Sequence, residues 1–263
     1  MAGNCTATGI TLSQTTVSPA QHILSSLNFY ALCRSNRYIQ SRGSNPVNNQ
    51  ELQKIAIQLA CPSGEDGTAI AEKMNETNAF ITERSIEALA PTAGERIVEI
   101  GPGNGLLSRP LIRALEKNGD YIALEPSVEM VEQAWNNLSG LGAAPVTIFT
   151  DDSFSAPVIS HSVDGVMAVN VLYFIDDLDA LFRKIISWLK PDGRAVFGIR
   201  SDQCLKAIPY TRYGFRIRSL EEIQVSLLAS GFKHVDYSYY DEGLQPFDEL
   251  EIPLDALIIK AIM

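Results

Sequence analysis

The stretch RIVEIGPGNGLLSR, from Arg96 to Arg109, constrains the fold of this chain more than any other. An apolar β-type run gives way to Gly101, Gly103 and Gly105 at alternate positions, and a helical pattern follows at once. A parallel strand that turns sharply into a helix needs residues able to take positive φ, and needs bare backbone where a ligand approaches. The helix then presents its free N–H groups and positive dipole end to the crevice, which suits an anionic group. The spacing departs from the G-x-G-x-x-G of dinucleotide sites, because Leu106 stands where the third glycine would fall. Glu99, two residues before the first glycine, is placed to receive an ammonium group. A ligand that carries both a carboxylate and an ammonium points to an amino acid.

From Arg96 onward short β-rich runs alternate with helical segments. The runs RIVEI, DYIALE, PVTIFT, VDGVMAVN, RAVFGI, HVDYSYY and ALIIKAI read as strands. Helices are expected on LLSRPLIRALEK, SVEMVEQAWNNL, DLDALFRKIISWL and SLEEIQVSLLAS. The last opens with Ser219 and Glu222 at capping-box spacing and closes at Gly231. Pro110 falls where the first of these helices should already donate hydrogen bonds, so that helix is expected to start late or bend. The pattern predicts an α/β fold with a doubly wound, mainly parallel seven-stranded sheet and an antiparallel C-terminal strand.

Ahead of the sheet, residues 1–20 are rich in Ser, Thr and Gly and read as a flexible arm. Residues 21–92 read as a helical lid. One helix is marked by Ala20, Ile23, Leu24, Leu27 and Ala31 and a second by Leu52, Ile55, Ala56 and Leu59. CPSGEDGT is expected to break the pattern before a third helix in NAFITERSIEAL. Asn75, Thr77 and Asn78 are expected to face the crevice. Residues 93–263 form the main domain.

Acids outnumber Lys plus Arg by 31 to 21, a net charge of −10, and no basic block is present to neutralise phosphates. Nucleic acid and anionic membrane are therefore not expected partners. Cys5, Cys33, Cys61 and Cys204 lie far apart, so a metal site or disulfide framework is not expected. The N-terminal segment lacks the charge and apolar run of a signal peptide, and no stretch is long and apolar enough to span a bilayer. The expected location is the cytoplasm.

Two further strand ends continue the ligand's outline. DYIALE ends on Glu125, where an acid can accept both hydroxyls of a ribose. TDDSF follows the third strand, and either Asp151 or Asp152 is placed for an exocyclic adenine amine, with the Ser153 N–H for a ring nitrogen. Taken in order, VEIGPGNG, ALEPS, TDDSF, VDGVMAVNVLYFI and LKPDGRAVFGI resemble the class I S-adenosylmethionine-dependent methyltransferases, over about Arg96 to Met263.

The resemblance implies S-adenosylmethionine as cofactor and S-adenosylhomocysteine as product. Glu99, Gly101, Gly103, Asn104 and Gly105 would hold the methionine portion and Glu125, with Pro126 beside it, the ribose. Asp152 or Asp151 with Ser153 would take the adenine, Met130 would pack near it, and Asn170 with Val171 would lie beside the sulfonium. It also implies N-terminal helices that cover the cofactor.

A general base is needed only if the methyl acceptor keeps its proton at neutral pH. Tyr173 and His22 are the candidates, and Tyr173, Tyr210 and Tyr213 are candidates for lining the acceptor pocket. His161 and His234 read as surface or structural. NVLY replaces the Asn-Pro-Pro-Tyr pattern of adenine and glutamine methylases, which together with the acidity favours a small-molecule acceptor and a monomer or homodimer. The alternatives are a protein of this fold that uses the cofactor structurally or for a reaction such as cyclisation, and a NAD(P)-dependent oxidoreductase.

Overall fold

The computed structural model describes residues 49–151, 153–247 and 250–263. The expected flexible arm, the first expected helix, His22 and Asp152 lie outside the described residues. Two helices lead the described chain, α1 (Asn49–Ala60) and α2 (Gly64–Leu89). The sheet follows, with β1 (Arg96–Ile100), β2 (Asp120–Leu124), β3 (Val146–Phe149), β4 (Val163–Val169), β5 (Leu189–Ile199), β6 (His234–Phe247) and β7 (Leu250–Ile262). Between them run α3 (Arg109–Leu115), α4 (Val128–Leu138), α5 (Leu178–Trp188), α6 (Asp202–Ala207) and α7 (Leu220–Ser230).

The strand order is β3-β2-β1-β4-β5-β7-β6, with β1 to β5 parallel and β7 antiparallel to both neighbours. This is the expected doubly wound sheet. Alternate residues of the central strands feed two cores. Val98, Ile100, Val166 and Phe197 pack with Leu181, Phe182, Ile185 and Trp188 of α5 and with Leu227 of α7. Ile97, Tyr121, Met167 and Val196 pack with Ile81 and Leu89 of α2, the apolar side of α3, and Ala134 and Leu138 of α4. Burial on both faces is what a sheet built from near-continuous apolar strands requires. The order reverses between β1 and β4, so a crevice opens beyond their carboxyl ends.

Local chemistry sets the helix ends. The Ser127 hydroxyl accepts from Met130 N at the start of α4, and Asp177 accepts from Ala180 N at the start of α5. Ser219 and Glu222 form the expected capping box on α7, and Gly231 closes that helix at φ 118°. Pro110 is accommodated because a 3-10 turn, Leu106–Ser108, delays α3 and leaves the proline in its first turn, where no helical N–H is required.

The structure departs from expectation in three places. CPSGEDGT interrupts the helices only at 61–63, because Gly67 lets Pro62 lie 3.3 Å from where a Cβ would stand, and α2 runs unbroken for 26 residues. Strand β5 starts at Leu189, so LKPDG belongs to the sheet. The last two strands are about twice the expected length: Tyr240–Phe247 of β6 and Leu250–Ala256 of β7 pair only with each other and run past Ile199, the end of β5.

Helix α2 belongs to the sheet as much as to the cover. Ser85 and Leu89 are wholly buried, and Gly198 of β5 lies so close that an added Cβ would meet Ser85 Oγ at 2.3 Å and Ile81 Cγ1 at 3.2 Å. Arg194 fixes the helix end, donating to the carbonyls of Leu89 and Ala90 and pairing with Glu95 through two contacts of 2.9 and 2.7 Å. Gly198→Ala is expected to cost about 1–3 kcal/mol through overpacking against α2, read as a lower urea midpoint; an unchanged midpoint would show that α2 is not seated on β5.

Candidate active site

The turn after β1 gives its three glycines different tasks. All take positive φ: 67° at Gly101, 59° at Gly103 and 71° at Gly105. At Gly101 a Cβ would stand 2.8 Å from Val171 Cγ2, so the bare backbone lets the turn approach the end of β4. Gly103 meets nothing within 4 Å and faces open space. Gly105 does not line the cavity; a Cβ there would strike Leu138 Cδ1 of α4 at 2.9 Å, so this glycine serves packing.

The turn borders a cavity of about 350 Å³ at the carboxyl ends of β1, β2 and β4. Glu99, Gly101, Gly103, Asn104, Glu125, Pro126, Met130, Ser153, Asn170 and Val171 all line it. Asp151 does not, and its carboxylate accepts from the Ser155 hydroxyl.

Two carboxyls lie buried in this wall, each only 4% exposed. Glu125 Oε2 accepts from Gly103 N at 3.0 Å and Oε1 from Ser127 N at 2.9 Å, so one side chain ties the end of β2 to the glycine turn and to the start of α4. Burial raises its pKa, and the two backbone donors oppose the rise. Glu99 Oε2 accepts from the Tyr121 hydroxyl at 2.7 Å. Burial pushes the Glu99 carboxyl up to about 7, against hydrogen bonds from Tyr121 and Ser108 and with the charge of Glu125 adding to the rise. Asn104 closes the turn, accepting from Leu106 N through its side chain and from Asn137 Nδ2 through its carbonyl.

Helices α1 and α2 cover the crevice. Ala71, Met74, Asn75, Asn78 and Thr82 face it at spacings that place them on one stripe of α2. Thr77 does not: it falls on the far side of the helix, exposed, with its hydroxyl donating to Lys73 O. The cover is anchored beside the turn, where the Ser127 hydroxyl donates to Pro62 O, Gly64 N donates to Glu129 and Gln133 donates to Thr68.

At the end of β4, Asn170 adopts φ 57°, a left-handed conformation that asparagine tolerates better than most residues. Tyr173 is 5% exposed, stacks on Phe215 and does not line the cavity, although its neighbours Phe174 and Ile175 do. Burial raises its hydroxyl pKa well above the tyrosine range. Tyr210 and Tyr213 also lie off the cavity lining, Tyr210 packing near Phe215 and Tyr213 under Arg212. His161 precedes the central strand β4 and His234 opens the edge strand β6, both at the end of the sheet opposite the crevice.

Pattern reading missed Ala71, Met74 and Thr82 on α2 and Leu59, Ala60 and Pro62 before it, which line the cavity, and Arg200, which does not line it but holds α2 from behind. The unbroken 3.6-residue periodicity of α2 was the available signal for the first three. Arg200 is 6% exposed and donates to Thr77 O, Asp255 O and Glu242.

A family model described as "Methyltransferase domain" matches residues 98–197, which span β1 to β5 and most of the cavity wall. Residues 98–197 thus match the methyltransferase-domain family, and the fold is that of S-adenosylmethionine-dependent methyltransferases. It is 29% identical over 174 residues to a demethylmenaquinone methyltransferase of Clavibacter sepedonicus, covering 62% of this chain and 64% of that one. It is 27% identical over 162 residues to an uncharacterised 37.1 kDa protein in a Streptomyces fradiae transposon, covering 58% of this chain and 46% of that one. The chain thus spans less than two thirds of either curated relative. A SAM-dependent methyltransferase structure from Aquifex aeolicus superposes with a TM-score of 0.59 at 15% identity, over 74% of this chain and 97% of that one, and shares the fold. No helix among the described residues is long and apolar enough to cross a membrane.

The Glu99 carboxyl gives a pH signature. Its folded-state pKa of about 7 lies above its ordinary 4.5, so its contribution favours the folded state in acid and is lost as pH rises through about 7. Relative to wild type, Glu99→Gln should gain about 3 kcal/mol of stability between acid and mildly alkaline pH. Denaturant titrations at a series of pH values measure the difference; a pH-independent gap would contradict the assignment.

Proposed function

We propose that this chain transfers the methyl group of S-adenosylmethionine to a small-molecule acceptor within the cavity under α1 and α2, releasing S-adenosylhomocysteine. The observation that carries the reading is geometric: Glu99 and Glu125, each 4% exposed, face one cavity beside the glycine turn, and no Lys, Arg or His is among the described residues that line it. A ligand ammonium arriving there supplies the missing positive charge. The fit extends along the wall. Gly103 leaves backbone open where a ligand carboxylate would approach, and each oxygen of Glu125 uses one backbone donor and keeps a lone pair for a ribose hydroxyl. A cavity of about 350 Å³ is within the size range of small-molecule sites.

On this reading Glu99 takes the ammonium, and Gly101, Gly103 and Asn104 the carboxylate end, with Gly105 setting the turn against α4. Glu125 takes the ribose and Pro126 borders it. Ser153, with Asp151 or Asp152, takes the adenine over Met130, and Asn170 and Val171 border the reacting methyl. The cofactor brings a methyl group already activated by positively charged sulfur. The chain's task is to align the acceptor with that carbon and exclude water, which orientation in a dry pocket can accomplish. The small-molecule reading is supported by the net charge of −10 and by the cover over the crevice, which leaves little room for a polymer.

Glu125→Ala is expected to weaken S-adenosylhomocysteine binding by about 1–3 kcal/mol, because ribose hydroxyls and the Gly103 and Ser127 N–H groups lose a buried partner. Calorimetry measures it, and unchanged affinity removes the ribose role. In wild type the same affinity should rise by up to about tenfold per pH unit toward about 7 as Glu99 ionises, and Glu99→Gln should flatten that slope. Incubation with methyl-labelled cofactor and a metabolite extract should place label in the small-molecule fraction; label confined to protein or nucleic acid, or none in any fraction, would contradict the proposal.

A further inference from the structure

A chain of hydrogen bonds reaches the α2 wall of the cavity, and its direction is set at one end. The backbone N–H of Arg200 can only donate, and it donates to the Tyr173 hydroxyl oxygen at 3.4 Å. The Tyr173 O–H donates to Asn170 Oδ1, and Asn170 Nδ2 donates to Asn78 Oδ1 at 2.9 Å. Each member thus accepts from the Arg200 side and donates onward, and the series polarises its members in one sense. It ends on the Asn78 NH2, which lines the cavity and has no protein partner among the described residues.

The charge of the cavity narrows what that donor can meet. Glu99 and Glu125 face it, and no Lys, Arg or His is among the described residues that line it. A carboxylate or phosphate entering there would be desolvated beside two carboxyls with no counter-charge. The cavity lining as a whole is largely apolar, Met74, Phe174 and Ile175 included, with Asn75 and Thr82 as the polar neighbours of Asn78 on α2.

Building on the methyl-transfer reading, we infer that Asn78 determines substrate specificity: its amide donates to a carbonyl oxygen of an uncharged, largely apolar methyl acceptor. Tyr173 and Asn170 are positioning residues that aim the amide. Tyr173 therefore contributes its hydroxyl as a fixed relay and not as a base.

The test uses the full chain saturated with S-adenosylhomocysteine, whose own binding is measured first by calorimetry. Matched triples on phenyl, naphthyl and indane bodies are then compared by saturation-transfer NMR and competition: a methyl ketone, the hydrocarbon of the same shape and the carboxylate. At least one ketone should bind about 3–10-fold tighter than its hydrocarbon, the net effect of one hydrogen bond, and tighter than its carboxylate. Asn78→Ala should erase the preference for ketone over hydrocarbon. Asn78→Asp, which keeps the oxygen that Asn170 needs but removes the donors, should erase it too. The inference is overturned if a carboxylate binds as well as its ketone, if no ketone binds, or if the ketone preference survives in both variants. If S-adenosylhomocysteine itself fails to bind wild type, the methyl-transfer reading falls with it, and the calorimetry shows that failure separately.

Discussion

The Glu125 carboxylate holds this site together. Its two oxygens accept from the backbone of Gly103 and of Ser127, and those two segments define the floor and one side of the crevice. The glycine turn has no side chains with which to hold itself, so its position depends on a partner supplied by the neighbouring strand. Ser127 in turn caps α4 and donates to Pro62, which seats the cover helices. One buried acid thus links β2, the turn after β1, α4 and the segment between α1 and α2. A second buried acid, Glu99, stands close enough to feel its charge, so the wall is primed for a cation. Buried carboxyls without positive partners are costly, and a fold that keeps two of them together gains from whatever ligand neutralises them.

The cover is part of the same construction. The sheet-side half of α2 is fixed by Ser85 against Gly198 and by Arg194 at the helix end, while its first half spans the crevice. Arg200 joins the two regimes, reaching Thr77 O from the end of β5 and binding Glu242 and Asp255 O of the long terminal hairpin. The hairpin therefore extends past the sheet for a structural purpose, supplying the acidic partner that allows a guanidinium to be buried beside the site.

Much of this was legible in the sequence where the chemistry is local. The alternation of strand and helix, the Ser219–Glu222 cap, the late start forced by Pro110 and the positive-φ glycines after β1 all follow from short-range rules, and the structure shows each of them. What short-range rules missed depends on neighbours distant in sequence. CPSGEDGT contains two glycines that read as a break, yet Gly67 serves the close approach of Pro62 within a continuous helical start. Gly105 reads as a ligand glycine from its spacing and is a packing glycine against Leu138. Tyr173 follows the end of β4, as a pocket residue should, but the 3-10 turn Leu172–Phe174 points it toward Phe215 and leaves Phe174 and Ile175 on the lining. Arg200 carries no motif at all; its role exists only because three distant acceptors converge on it.

The most direct measurement of the central claim is a crystal structure of the full chain grown with saturating S-adenosylhomocysteine. The ligand's ammonium should lie within hydrogen-bond reach of Glu99, its ribose hydroxyls on Glu125 and its carboxylate end over Gly103, beneath α2. A ligand bound elsewhere on the molecule, or lying in the crevice with its ribose turned away from Glu125, would contradict it.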